Sequence, residues 1–388
     1  MKNLLWNDIK NLQANFPQRP PGSVLIDNST LKSALGFLDD RRYNFYRRSD
    51  AWPISLISLR HLVESLILFD FVYVDQLDLE WALTDYGNQA IGPIGEVIHG
   101  INLSDENRNT SRNLALDIAR KTSQDYNIPQ LASAGSPSAE AFWILQLCDR
   151  KEEHILQKEL EQISAFYGGS NVRVSRSLAF ATYRTAFYLL ISQIWGIPYC
   201  PHPVRTPFVA PYLQDTSKLR PESIRNWAIQ EVANVRSQKI VRLNAELGTF
   251  YEVEVPLLFG IILSESKSSE EILQKTIEIR NSWYAKGFRR WTKRIDEAIQ
   301  QRRDPVLPDE AFEEVRALCD EFAAQRKTSL WTKVGIAVGM LPQVSVEFDV
   351  KVPLPWKRHL LFLKEIFSRG MRIGELATHI EQLFGKYW

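Results

Sequence analysis

The chain has 388 residues, 45% hydrophobic and 24% charged, which supplies one large or two medium cores and excludes a disordered or fibrous chain. Lysine plus arginine total 47 against 46 aspartates and glutamates. The surface as a whole is therefore not built to coat nucleic acid or an anionic membrane, and any such contact has to be local.

In chain order, the opening "MKNLLWNDIKNLQANFPQRPPG" mixes Asn, Asp and Gln among its apolar residues. It lacks the continuous apolar run and small-residue cleavage site of a signal peptide. A short strand is predicted at Val24 to Ile26, then a helix with its N-cap among Asp27, Asn28 and Ser29. "PISLISLRHLVESLILFDFVYVD" starts at a proline and keeps helical apolar spacing until it turns aromatic and β-branched, which predicts helix followed by strand. Its acids Glu64, Asp70 and Asp75 interrupt it too often for a bilayer span. "DYGNQAIGPIGEVIHG" reads as glycine and proline punctuation before a helix capped near Ser104.

"LASAGSPSAEAF" is small, polar and proline-containing, and marks a domain boundary near residue 135. A long helix follows, stopped by Gly168 and Gly169. Next comes "SRSLAFATYRTAFYLLISQIWGIP", apolar on nearly every face, as in a helix at the centre of a core. The repeated X-Pro steps of "GIPYCPHPVRTPFVAPYL" predict an extended loop. Helix is then expected through "PESIRNWAIQEVANVRSQKIVRLNAEL", and a strand in "TFYEVEV". Ser268 and Glu271 have capping-box spacing. They precede an amphipathic helix with Tyr284, Phe288, Trp291, Ile295 and Ile299 as its apolar stripe. "PDEAFEEVRALCDEFAAQRK" and the last thirty residues add helix, and "VSVEFDVKVPL" alternates like a strand. The glycines of "VGIAVGML" are spaced for close packing.

These elements predict a mainly α protein with minor β (α+β): a small mixed domain over residues 1–135, then a larger helical domain over 136–388. The three cysteines, Cys148, Cys200 and Cys319, are far apart and outside CxxC spacing. They suggest a reducing interior, and a soluble cytoplasmic protein is expected.

Two segments join cations to rings. "DDRRYNFYRR" holds Arg41, Arg42, Tyr43, Tyr46, Arg47 and Arg48, with Asp39 and Asp40 partly neutralising the arginines. "KGFRRWTKR" holds Lys286, Arg290 and Lys293 on one helix side, with Phe288 and Trp291 assigned to the core. Positive charge displaces counterions from phosphates and exposed rings stack unpaired bases. The competing reading of each segment is a solvated charged face.

Arg184 lies within an apolar helix, where a guanidinium has to be paired or reach out. If the "PHPVR" loop folds back across that helix, His202 and Arg205 join it in a pocket suited to phosphate or carboxylate, with Arg173 and Arg176 as further candidates. The alternative is internal ion pairing to acids such as Glu140 or Glu153.

A third set is acidic: Asp27 where a strand meets a helix in "SVLIDNSTL", Glu64 on the next helix, and Asp117 in "LALDIARK". Converging carboxylates hold a divalent metal that activates water against a phosphodiester. Over residues 23 to about 135 this arrangement resembles the PIN-like ribonucleases, whose opening strand ends in an aspartate and whose later acids lie on following helices. The resemblance implies Asp27, Glu64 and Asp117 as ligands of Mg or Mn. The run after Asp117, "SQDYNIPQLASAG", departs from that family's Thr-x-Asp pattern. The competing reading is N-capping by Asp27, a partly exposed Glu64 and a solvated Asp117.

The six histidines show no HExxH spacing, and GxGxxG and Walker A loops are absent from the sequence. The function expected is non-catalytic binding of nucleic acid or a protein partner through the basic-aromatic surfaces, without membrane contact and without a cofactor. The alternative is the PIN-like nuclease.

Overall fold

A computed structural model describes residues 19–39, 46, 52–125, 155–167, 172–202, 205, 240–245, 248–256, 258–300, 309–325, 331–338 and 383–384. The expected class holds: helix dominates, with a smaller share of strand. The boundary expected near residue 135, the segment at 344–354 and nearly all of the final thirty residues lie outside the described residues. No described helix is long and apolar enough to cross a membrane.

The described elements divide between two compact units. The first is built on a parallel sheet. β1 (Ser23–Ile26) leads to α1 (Asn28–Leu38) and α2 (Trp52–Leu68), then β2 (Phe71–Asp75), α3 (Gln76–Ile91) and β3 (Ile98–Ile101). The three strands run in the order β3-β2-β1, with Val24 opposite Val72 and Val72 opposite Ile98. All four residues of β1 are buried, as in a parallel strand covered on both faces, where apolar residues run on without alternating.

Gly22 starts β1 at φ +84°, and a Cβ there would come within 2.9 Å of an Asp70 carboxylate oxygen. Only glycine combines that torsion with so close an approach. The Gly22 carbonyl accepts the Asp70 N–H at 3.0 Å, tying the starts of β1 and β2 together.

Helix α2 buries Leu56, Leu59, Leu62, Val63, Leu66 and Ile67. The same unit continues with α7 (Leu258–Glu265), α8 (Glu271–Arg280), α9 (Trp283–Gln300) and α10 (Asp309–Gln325), of which α7, α8 and α9 pack on α2. Before α8, the Glu271 carboxylate accepts the Lys267 N–H at 2.8 Å, one residue earlier than the capping box expected with Ser268. Tyr284, Phe288 and Trp291 form the buried stripe of α9, as their spacing predicts. The side chains of Ile295 and Ile299 lie outside the described ones.

The second unit holds α4 (Asp105–Asp125), α5 (Gln157–Ser164) and α6 (Val172–Trp195). α6 packs against both α4 and α5, and its run from Leu178 to Ile191 is buried on every face. After it, Gly196 turns the chain at φ +63° into β4 (Tyr199–Cys200). Tyr199 pairs antiparallel with Ala337 of β7 (Trp331–Val338).

Several elements depart from the sequence reading. Helix was expected through residues 240–245, and the structure places β5 (Ile240–Ala245) there, ahead of β6 (Gly248–Pro256). The physical reason is visible in "IVRLNA": Val241, Leu243 and Ala245 alternate with Arg242 and Asn244, a period of two. The glycine-spaced "VGIAV" falls in β7. The second half of α3 and most of β3 fall in the stretch read as punctuation, where the residues of β3 pair with β2.

Candidate functional site

Because β1 and β2 are adjacent and parallel, their carboxyl ends lie side by side, and this is the edge at which open parallel sheets receive ligands. Asp27 follows β1 and Asp75 ends β2. Asp75 caps α3, its Oδ1 accepting the Leu77 N–H at 3.1 Å. Asp27 stands at the N-cap position of α1, fully buried, yet its side chain makes no cap hydrogen bond. Asn28 accepts the Ser29 N–H instead, at 2.8 Å. Behind them the Lys32 ammonium lies 2.7 Å from Asp78 and 3.8 Å above the Trp81 ring, with Asn28 Nδ2 also donating to Asp78 at 3.3 Å. Lys32 and Asp78 are both buried, so the pair interacts in a low dielectric that penalises removal of either partner alone.

The other two acids of the proposed ligand set have their own partners. Glu64 is buried on α2, with Arg60 Nε 3.2 Å from each of its carboxylate oxygens. Burial raises its pKa above the ordinary carboxylate value, and the neighbouring Arg60 opposes that shift. Glu64 also acts electrostatically on Tyr284, whose hydroxyl lies 3.6 Å from Cys319 Sγ. Asp117 is exposed on α4 and pairs with Arg120 at 2.9 Å. Among the described residues, no group of three or more His, Cys, Asp or Glu side chains is arranged to hold a metal ion.

The second basic segment separates by helix geometry. Phe288 and Trp291 are buried while Lys286, Arg290 and Lys293 are exposed, a row at i, i+4 and i+7 along one side of α9. Lys293 is 3.9 Å from Glu297, and the neighbouring Arg294 pairs with Glu314 of α10. Among the described residues, Lys286 and Arg290 have no ionic partner.

Arg289, inside the same segment, does something the sequence reading missed. Its Nε lies 2.9 Å from Asp70 Oδ1, and its Nη1 donates to the Ile67 and Arg280 carbonyls at 3.0 and 2.8 Å. Arg280 donates to the Leu66 and Phe69 carbonyls and, at 2.8 Å, to that of Asp70. Thr292 Oγ1 donates to the Leu68 carbonyl at 3.2 Å. The last carbonyls of α2, which have no partners within their own helix, are thereby covered by α8 and α9, and two cations sit at the negative end of its dipole. Burial and the adjacent Arg289 push the Arg280 pKa down to about 10, against the pull of Asp70, so it stays protonated at neutral pH. The sequence signal was available: α2 ends at Leu68 and runs on into Phe69 and Asp70, with no glycine or asparagine to close it.

In the second unit, Arg184, His202 and Arg205 are each at most 1% exposed. The Arg205 N–H donates to the His202 carbonyl at 2.7 Å, and Arg205 Nη1 reaches the Ala181 carbonyl of α6 at 3.5 Å. Arg184 Nη2 donates to Tyr188 Oη at 2.8 Å, with its guanidinium carbon 4.9 Å from the Tyr188 ring and 5.3 Å from Phe187. Arg176 is elsewhere, paired with Glu161 at the surface. The side chain of Arg173, and Glu140 and Glu153, lie outside the described residues.

Of the first basic-aromatic segment only Asp39, buried, and Tyr46, half-buried, are described. Arg41, Arg42, Tyr43, Arg47 and Arg48 lie outside the described residues. No protein-family model, no curated protein and no solved structure matches this chain.

Proposed function

We propose that the chain binds nucleic acid through the phosphate backbone, with Lys286, Arg290 and Lys293 as the contacting cations. The observation that carries this reading is their exposure in one row on α9 while the rings between them are committed to the core. A row of exposed cations on a firmly packed helix neutralises successive phosphates, whereas buried rings leave no platform for bases in this segment. Contact of this kind is insensitive to sequence. The test is the salt dependence of binding to single-stranded RNA and DNA, for the chain and for its Lys286→Ala/Arg290→Ala/Lys293→Ala variant. A complex that forms equally well at high and low salt would move the reading to a protein partner.

A second reading is metal-dependent phosphodiester cleavage in the manner of the PIN-like ribonucleases. It is favoured by Asp27, a buried carboxylate at the carboxyl end of a parallel strand that is not used to cap the helix it precedes. Asp27→Asn, assayed for cleavage with magnesium or manganese and with chelator, tests it.

A further inference from the structure

Trp283 is the first residue of α9, three positions ahead of Lys286. It is 42% exposed, whereas Tyr284, Phe288 and Trp291 of the same helix are buried. At about 100° per residue, Trp283, Lys286, Arg290 and Lys293 fall within an arc of roughly 80° and along roughly 15 Å of one helix side. The exposed side of α9 therefore carries a ring as well as cations. The start of the helix is closed by Ser282, whose Oγ accepts the Ala285 N–H at 3.3 Å. The indole stands perpendicular to the buried Tyr284 ring, at 6.4 Å between centroids and 88° between planes, and Tyr284 in turn stacks on Phe322 of α10 at 4.0 Å and 21°. A perpendicular contact covers at most one face of the indole, so a second flat group has a face to lie on. The ring also sits at the positive end of the α9 dipole. Lys286 and Arg290, the two cations nearest to it along the row, have no ionic partner among the described residues.

We propose that this side of α9 binds unpaired strands of nucleic acid, with a base stacked on Trp283 and the phosphates beside it on Lys286 and Arg290. The inference rests on the backbone reading above and names its substrate class. In a duplex the faces of the bases are covered by their neighbours, so only an unpaired base meets the indole. Charge complementarity favours this occupant over a protein partner: a row of cations beside one open ring matches a polyanion that carries flat apolar groups. Every base has a π-face, so the ring reads strandedness rather than sequence.

The experiment is equilibrium binding of the full chain to labelled single strands of DNA and RNA, an abasic DNA strand and a DNA duplex, all of one length, over a series of salt concentrations. Trp283→Ala and Trp283→Phe are measured beside it; the residue is exposed, so both variants should stay folded. Trp283→Ala should weaken binding to at least one of the base-carrying single strands roughly tenfold. It should leave the abasic strand and the duplex unaffected and the salt slope unchanged, because the cations remain. Trp283→Phe, which keeps a smaller ring, should lose less than Trp283→Ala. Single-strand affinity that survives unchanged in Trp283→Ala would overturn the stacking inference, as would a loss of equal size on the abasic strand. In either case, salt-dependent binding that disappears in the Lys286→Ala/Arg290→Ala/Lys293→Ala variant would leave the backbone reading standing. Absence of salt-dependent binding to every probe would overturn both.

Discussion

Arg289 on α9 holds Asp70 at the entry to β2 through a 2.9 Å bond between Nε and Oδ1, with the Gly22 carbonyl accepting from the same aspartate's N–H. One residue further along, Arg290 points to solvent. Adjacent arginines of a single basic segment therefore have separate physical roles, one closing a helix end and the other free to meet a ligand.

That difference is measurable as stability. Arg289→Ala removes three hydrogen bonds from a buried cation and leaves two main-chain carbonyls without their donor, so urea unfolding should show a loss of about 2–4 kcal/mol. Arg290→Ala should change stability by less than about 0.5 kcal/mol. Equal losses at the two positions would show that Arg289 does not serve as the cap of α2. Arg289→Lys should recover little, because a single ammonium cannot reach Asp70 and two carbonyls at once.

Binding should divide the other way. Removing Lys286, Arg290 and Lys293 together should lower the slope of log affinity against log salt by about 2–3. A slope that does not change would remove α9 from the interface. If these cations contact the phosphate backbone as proposed, competition among unrelated RNA and DNA sequences should show little preference.

The carboxyl edge of the sheet allows stability and activity to be told apart. Asn28 rather than Asp27 supplies the hydrogen bond to the first turn of α1, so Asn28→Ala should cost about 1–2 kcal/mol. Asp27→Asn keeps shape and should cost less than Asn28→Ala. If the chain cleaves nucleic acid with magnesium or manganese, Asp27→Asn should abolish cleavage with the fold intact; full activity in this variant would end the nuclease reading.

Glu64 carries a pH signature. Burial raises its folded pKa above the ordinary carboxylate value of 4.5, so the folded state keeps the proton after the unfolded chain has released it. Its stabilising contribution is therefore complete below pH 4.5 and declines as pH rises through the raised folded value. Urea midpoints between pH 4 and 8 should show this decline superimposed on other titrations, and Glu64→Gln should remove it. An identical pH profile in the variant would mean that Arg60 compensates the burial of Glu64 in full.

The sequence by itself determined the local choices. Val24 to Ile26 read as a short strand, the spacing of Tyr284, Phe288 and Trp291 separated core rings from surface cations, and Arg184 within an apolar helix announced an unusual interior charge. These are periodicities and burial preferences, legible within a few residues. The alternation in "IVRLNA" was equally legible, but it was overridden by the helical pattern expected ahead of it. Tertiary structure alone decided what depends on distant partners. Lys32 finds Asp78 at a separation of 46 residues and Arg289 finds Asp70 at 219, and no local pattern specifies such pairs. It also decided that Glu64 is buried, and that Arg205 returns to the turn of α6 beside Arg184. Side-chain chemistry is written along the chain, but which charges meet is set by how parallel strands and helix ends pack, and that is where binding sites are made.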